Sequence, residues 1–195
     1  SGSGGDVSIT AKLLLIENAS GVSSDTFLGS GVGGVLSLNV GTLTLKGGDV
    51  GGSSIRSTNA ASGTDVDLDG LPDVFNAAGG DVTIQGINGA GSAADTVILS
   101  GGSRIRSETQ VSGDGGRVSL AATSLNMDEA SALTSETFGI GRGGNIVVSV
   151  QIASLSGGAT IASRTVFADQ AAGAGGTITV QGLNGEGSKA ASLTL

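Results

Sequence analysis

The feature of this sequence that most limits its fold is a repeated unit that opens with two glycines. Each Gly-Gly pair is followed by an alternating apolar run, a second apolar run, and a third run in which hydroxyl side chains alternate with other residues. In the unit that begins at Gly115, the alternating positions are Val118 and Leu120, then Leu125 and Met127, then Leu133, Ser135 and Thr137. Alternation with a period of two residues is typical of β-strands, so each unit predicts three short strands.

The unit recurs along the whole chain. The Gly-Gly pairs that open a unit begin at Gly4, Gly33, Gly79, Gly115, Gly143 and Gly175, at spacings of 29, 46, 36, 28 and 32 residues. The third run contains one recurrent serine in each of five units, and these serines are Ser24, Ser57, Ser107, Ser135 and Ser163. One unit alone cannot bury its apolar face, so we expect the copies to stack as in a solenoid. The sequence therefore predicts a single all-β domain over residues 1–195.

The predicted architecture is a right-handed parallel β-helix of about six turns, each of roughly 28–36 residues. A left-handed β-helix is built on a six-residue period, which is absent here. The main alternative is a β-roll, but its G-G-x-G-x-D nonapeptide period is also absent. We expect Val, Leu and Ile inside, the serines in an inward or corner column bonded to neighbouring turns, and corner glycines that provide positive φ and close approach.

Composition excludes several other classes. The chain has 37 glycines and 2% aromatic residues, but 38% of its residues are hydrophobic and they are periodic, which favours packed β-structure over disorder. A net charge of −8 argues against nucleic acid as a partner. No run of 18 apolar residues occurs, so no membrane span is predicted. Because the last unit is cut short, we expect the chain to be a fragment of a larger protein.

One insertion interrupts the repeat at residues 64–78, and its sequence is TDVDLDGLPDVFNAA. Carboxylates stand at positions 1, 3, 5 and 9 of a loop with glycine at position 6, the order used by oxygen ligands of Ca²⁺. The predicted calcium ligands are Asp65, Asp67, Asp69, Leu71 through its carbonyl, Asp73 and Asn76. The loop resembles the EF-hand and thrombospondin type 3 repeats, although Asn76 replaces the usual glutamate. The alternative is an acidic loop exposed to solvent.

The repeats resemble those of filamentous-haemagglutinin-type exoproteins, the secreted partners of bacterial two-partner secretion. The resemblance rests on units such as GGDVSIT and GGRVSLAATSLNMDEASALTSET and covers nearly the whole chain. It implies export through an outer-membrane transporter of that system and a secreted or cell-surface location on a Gram-negative-type bacterium. It also implies adhesion, aggregation or biofilm formation, with a host-cell or self-cell surface glycan or protein as a possible partner.

Two sets of residues in or beside the third run are weaker candidates for binding. Arg56, Arg104, Arg106 and Arg164 could form a strip for anionic glycans together with Asp25, Glu108 and Glu136, or they could be solvated charges that deter edge pairing. Phe27 and Phe138 hold equivalent positions, where they could stack on sugars, but we expect them to cap a corner of the core. Surface recognition by residues 64–78 or 86–95 is a further alternative.

Catalysis is not expected. Enzymes built on right-handed β-helices degrade polysaccharides, and the sequence contains no His, Tyr or Trp. Asp128 and Glu129 are adjacent, so on a strand their side chains would face opposite ways. We therefore expect a non-enzymatic shaft or adhesive segment of a large secreted adhesin. The alternatives are a pure spacer that presents a tip domain elsewhere and a polysaccharide-degrading enzyme.

Overall fold

The computed structural model describes residues 2–27, 31–60, 77–110, 112–166 and 173–195. Within these ranges the chain contains no helix and forms thirteen strands. The strands are β1 (Val7–Glu17), β2 (Gly21–Thr26), β3 (Leu36–Lys46), β4 (Ser54–Asn59), β5 (Val82–Gln85), β6 (Ala94–Ser100), β7 (Arg104–Thr109), β8 (Val118–Met127), β9 (Ala132–Thr137), β10 (Ile146–Leu155), β11 (Thr160–Thr165), β12 (Ile178–Gln181) and β13 (Ser192–Thr194).

The strands form two sheets in which all pairs of named strands are parallel. The first sheet has the order β1-β3-β5-β8-β10-β12, with β6 between β3 and β8 and β13 beside β10. The second sheet has the order β2-β4-β7-β9-β11. Strands therefore lie side by side in the order of the repeat units. The prediction of an all-β chain with parallel strands is confirmed.

The strands pair in the register that the glycine pairs predict. Val7 lies opposite Leu36, and Leu36 lies opposite Val82, so the offsets are 29 and 46 residues. These offsets equal the first two spacings between Gly-Gly pairs, and the agreement continues to the pairing of Ile146 with Ile178. In the second sheet the recurrent serines also lie opposite one another. Equivalent residues of successive units thus form continuous columns.

The first two apolar runs of a unit form one long strand in most units, where the sequence predicts two. In β8 the buried residues are Val118, Leu120 and Ala122, followed by Leu125 and Met127. The alternation slips by one residue between Ala122 and Leu125, but the pairing with β10 continues on both sides of the slip. Only the third and sixth units divide the run, at turns that contain several glycines.

The core lies between the two sheets. The first sheet contributes fully buried aliphatic side chains from both runs, such as Leu38, Leu43, Leu120 and Leu125. The second sheet contributes one aliphatic column, which includes Ile55, Ile105 and Leu133. Burial of such side chains stabilises a fold by roughly 1.5–3 kcal/mol each. The remaining inward columns of the second sheet are polar.

The opening Gly-Gly pairs allow close approach between successive units. A Cβ atom built on Gly116 would lie within 3.0 Å of the carbonyl oxygens of Gly79 and Gly80, and one on Gly144 would meet those of Gly115 and Gly116. The opening pairs do not have positive φ, so they provide only the close approach that was expected of corner glycines. Positive φ occurs instead at other turns, including Gly101–Gly102 and Gly157–Gly158.

Candidate functional site

The predicted calcium ligands lie outside the described residues. They are Asp65, Asp67, Asp69, Leu71, Asp73 and Asn76. Within the ranges that are described, no group of three or more His, Cys, Asp or Glu side chains could hold a metal ion. The calcium site stays a prediction from sequence.

The recurrent serines line the inside of the second sheet and bond to the glycine pairs. The Oγ of Ser135 donates a hydrogen bond to the carbonyl oxygen of Gly116 at 2.7 Å and accepts one from the N–H of Gly144 at 3.0 Å. Ser163 repeats this arrangement with Gly144 and Gly176, at 2.7 and 2.8 Å. Each of these hydroxyls therefore joins the opening glycines of its own unit to those of the next. The predicted serine column is confirmed.

A second polar column lies two residues further along each strand of the second sheet. The hydroxyl of Thr137 donates to the carbonyl oxygen of Gly113 at 2.8 Å, and that of Thr165 donates to Gly141 at 3.1 Å. These hydroxyls donate hydrogen bonds to carbonyl groups of the chain segment that precedes each glycine pair. Polar groups in this part of the interior are thereby satisfied, which avoids the cost of burying them unpaired.

A third set of hydrogen bonds, from backbone N–H groups to side-chain oxygens, was not predicted from the sequence. The carboxylate of Asp81, directly after a glycine pair, accepts a hydrogen bond from the backbone N–H of Arg117 at 2.7 Å. In the same column Asp6 accepts from Val35, and Asn145 accepts from Thr177, each at 2.9 Å. The signal was present as the tripeptides Gly-Gly-Asp and Gly-Gly-Asn in alternate units. Such side chains hydrogen-bond readily to nearby backbone groups, so the recurrence could have identified the column.

Three of the four candidate arginines are ion-paired on the outward face of the second sheet. Arg56 contacts Asp25 at 2.9 Å, Arg106 contacts Glu108 at 3.0 Å, and Arg164 contacts Glu136 at 2.6 Å. Arg104 makes no ion pair with the residues that the structure describes. The hypothetical strip of arginines is therefore largely neutralised by the acidic residues beside it.

The acidic members of these pairs are more buried than the arginines. The side chains of Asp25, Glu108 and Glu136 are 9%, 5% and 7% exposed, whereas that of Arg164 is 59% exposed. Arg106 lies near Glu108 Oε2, but that oxygen accepts no hydrogen bond. Each arginine thus lies against a carboxylate that is largely shielded from water, and this contact leaves it less available to an external anion.

The two phenylalanines do not cap the core, so that expectation is wrong. Phe27 is 66% exposed and Phe138 is 37% exposed. They follow Thr26 and Thr137, whose side chains are buried. Because side chains alternate along an extended chain, the residue after an inward threonine points outward.

Asp128 and Glu129 lie in a turn, and not on a strand as expected, because β8 ends at Met127. Glu129 and Ala130 have φ values of 48° and 58°, which end the strand. The carboxylate of Glu129 accepts a hydrogen bond from the N–H of Gly101 at 2.9 Å. The turn within residues 86–95 is closed by a hydrogen bond from Gly89 N–H to the carbonyl oxygen of Gly86, at 2.9 Å.

A groove with a volume of about 450 Å³ lies over the glycine pairs of the later units. Its floor is the glycine backbone, which carries no side chain. One wall is formed by Asp81, Arg117, Asn145 and Thr177, and the other contains Asp114 and Arg142. The carboxylate of Asp114 accepts a hydrogen bond from the N–H of Arg142 at 2.7 Å.

Comparison with known proteins gives no further identification: no protein-family model, no curated protein and no solved structure matches this chain. A search of the described residues also finds no helix that is long and apolar enough to cross a membrane.

Proposed function

We propose that the chain is a right-handed parallel β-helix of about six turns and that it serves as a non-enzymatic shaft or adhesive segment of a large secreted bacterial adhesin. The observation that carries this proposal is the constant register of parallel strands, offset by one repeat unit at every step. Connections between parallel neighbours in one sheet are right-handed in nearly all proteins, which supports the proposed hand.

The way in which polar side chains are used also favours a structural role. Ser135 and Thr137 donate to backbone carbonyls, and Glu136 is paired with Arg164. Hydrolysis of a polysaccharide uses a pair of carboxyl groups, and those of Asp25 and Glu136 on this sheet are engaged with arginines of the next unit. The use of these groups for cross-unit bonds fits a protein that must be long and uniform. The polysaccharide-degrading alternative therefore remains the least favoured.

The resemblance to filamentous-haemagglutinin-type exoproteins supports the remaining parts of the proposal. These parts are export through a two-partner outer-membrane transporter and residence outside a Gram-negative-type cell. A spacer that presents a tip domain is the alternative within the same architecture. The two differ in whether this segment binds a surface by itself.

Calcium binding by the inserted loop can be tested separately from adhesion. We propose that Asp65, Asp67, Asp69, Leu71, Asp73 and Asn76 bind Ca²⁺ and order the insertion. Asp67→Asn together with Asp69→Asn should abolish the rise in melting temperature that calcium produces in the wild type, because binding to the folded state stabilises it. The same melting temperature with calcium and with EDTA in the wild type would remove the metal from the proposal.

The deciding experiment for function is binding of the labelled wild-type chain to bacterial and host cells, in calcium and in EDTA. Saturable binding is expected for an adhesive segment. Circular dichroism in both buffers is the control for folding. A folded chain that binds no cell in either buffer would overturn the adhesive role and leave the spacer.

A further inference from the structure

The groove over the glycine pairs holds two arginines that the structure leaves without a partner. The side chains of Arg117 and Arg142 are exposed, and neither makes a hydrogen bond or an ion pair with any described residue. Both line the same groove. This differs from Arg56, Arg106 and Arg164, which are engaged with carboxylates on the other sheet.

The carboxylates of this groove are held in place by the backbone. One oxygen of Asp81 accepts from the N–H of Arg117, and one oxygen of Asp114 accepts from the N–H of Arg142. Each aspartate therefore lies beside an arginine without forming an ion pair with its guanidinium. The groove presents two cations and two hydrogen-bond acceptors, and their formal charges balance.

The shape of the groove fits a linear polymer better than a small ion. Asp81, Arg117, Asn145 and Thr177 belong to four successive units, because the residues that follow them pair in register. At ~4.8 Å between strands, three spacings make the wall roughly 14 Å long. The floor between the walls bears no side chains, so an extended chain can lie on it.

Part of the floor is already hydrogen-bonded within the protein. The N–H groups of Gly116, Gly144 and Gly176 are bonded to the serine column, and the carbonyl oxygens of Gly116 and Gly144 accept from it. The side chains that can recognise a ligand stand on the walls. A matching polymer needs carboxylates for the arginines and hydroxyl donors for the aspartates.

We propose that this groove binds a linear acidic polysaccharide of uronic acid units. A uronic acid carries a carboxylate and several hydroxyls on one ring, which matches the mixture of guanidinium and carboxylate groups on the walls. The inference rests on the adhesive form of the proposed function and names the class of ligand for it.

The test is binding of polygalacturonate to the wild-type chain at about 0.15 M salt, where repulsion from the net charge of −8 is largely screened beyond ~8 Å. The double variant Arg117→Gln, Arg142→Gln should weaken binding at least about tenfold, since hydrogen bonds to charged groups are the stronger ones. Arg104→Gln is the matched control, because Arg104 is exposed and lies outside this groove, and it should change binding less than about twofold.

Polyglutamate, a carboxylate polymer without hydroxyl groups, is the second probe and should bind more weakly than polygalacturonate. Equal binding of the two polymers would overturn the polysaccharide assignment, and so would an equal loss in Arg104→Gln and the double variant. No binding of polygalacturonate by a wild-type chain that does bind cells would overturn the groove inference alone. Binding of the polymer without binding of cells would support the groove and count against the adhesive role.

Discussion

The two sheets face one interior but fill it with different chemistry. The first sheet supplies aliphatic residues such as Leu43 and Leu125, which are 0% exposed. The second supplies one aliphatic column and then hydroxyl groups such as Ser135, also 0% exposed, that bond to glycine backbone. The first sheet therefore stabilises the fold by removing apolar surface from water. The second sheet stabilises it through hydrogen bonds that hold each unit against the next.

The largest effect is expected in the aliphatic sheet. Leu125→Ala should lower the free energy of unfolding by about 2–5 kcal/mol, because it removes a fully buried side chain and leaves a cavity. Leu15→Ala is the control in the same sheet, since Leu15 is 52% exposed and should cost much less. Chemical denaturation of both variants measures the difference. Similar losses at the two positions would contradict the assignment of the core to the inner face.

The hydroxyl sheet should respond through hydrogen bonds. Ser135→Ala should cost about 1–3 kcal/mol, because the carbonyl of Gly116 and the N–H of Gly144 lose their buried partner. Ser23→Ala changes an exposed serine on the same sheet and should have almost no effect. The measurement is again the free energy of unfolding. A neutral Ser135→Ala would mean that its bonds contribute nothing to joining the units.

The turn that connects the two sheets in the fourth unit provides a change in the opposite direction. Ala130 has a φ of 58°, whereas the equivalent residues of the neighbouring units are Gly102 and Gly158. Ala130→Gly should stabilise the chain by about 0.5–1 kcal/mol, because relief of left-handed strain exceeds the entropy cost of glycine. Ala121→Gly, within β8, should destabilise instead. A lower melting temperature for Ala130→Gly would argue against strain at this turn.

The smallest effect is expected on the outward face of the second sheet. Arg164→Gln should cost about 0.2–1 kcal/mol, since the arginine side chain is 59% exposed and such pairs are weak. The loss should decrease as salt is raised, because screening already weakens the pair in the wild type. A salt-independent loss above that of Ser135→Ala would show that the outer face matters more than the inner hydroxyls.

The register was predictable because the glycine pairs, the apolar alternation and the serine all recur at the same spacings. The division into strands was less predictable. The slip in the alternation between Ala122 and Leu125 resembles a break between two strands, but the pairing continues across it as one strand. The partners of the ion pairs could not be predicted from the spacing of the repeat units. Arg164 pairs with Glu136 directly opposite, but Arg106 pairs with Glu108 on its own strand.

The candidate groove was missed for a related reason. Arg117 and Arg142 stand on either side of different glycine pairs, and only the stacking of units brings them to one groove. The arginines of the third run are the more prominent candidates in the sequence, because they recur within it. Residues that recur in the sequence can be predicted to stack in one column. Whether a side chain of that column is free to bind a ligand depends on the residues that it contacts in the fold.

The offset of one unit between paired strands has a consequence for how the chain acquires its structure. Each strand needs only the strand one unit earlier as its neighbour, so every completed unit presents an edge on which the next can be laid down. Contacts between distant parts of the sequence are not required first, which limits the loop-closure entropy to that of a single unit. A polypeptide with this property can fold progressively while it emerges through a narrow opening, and each newly folded unit would oppose its backward movement.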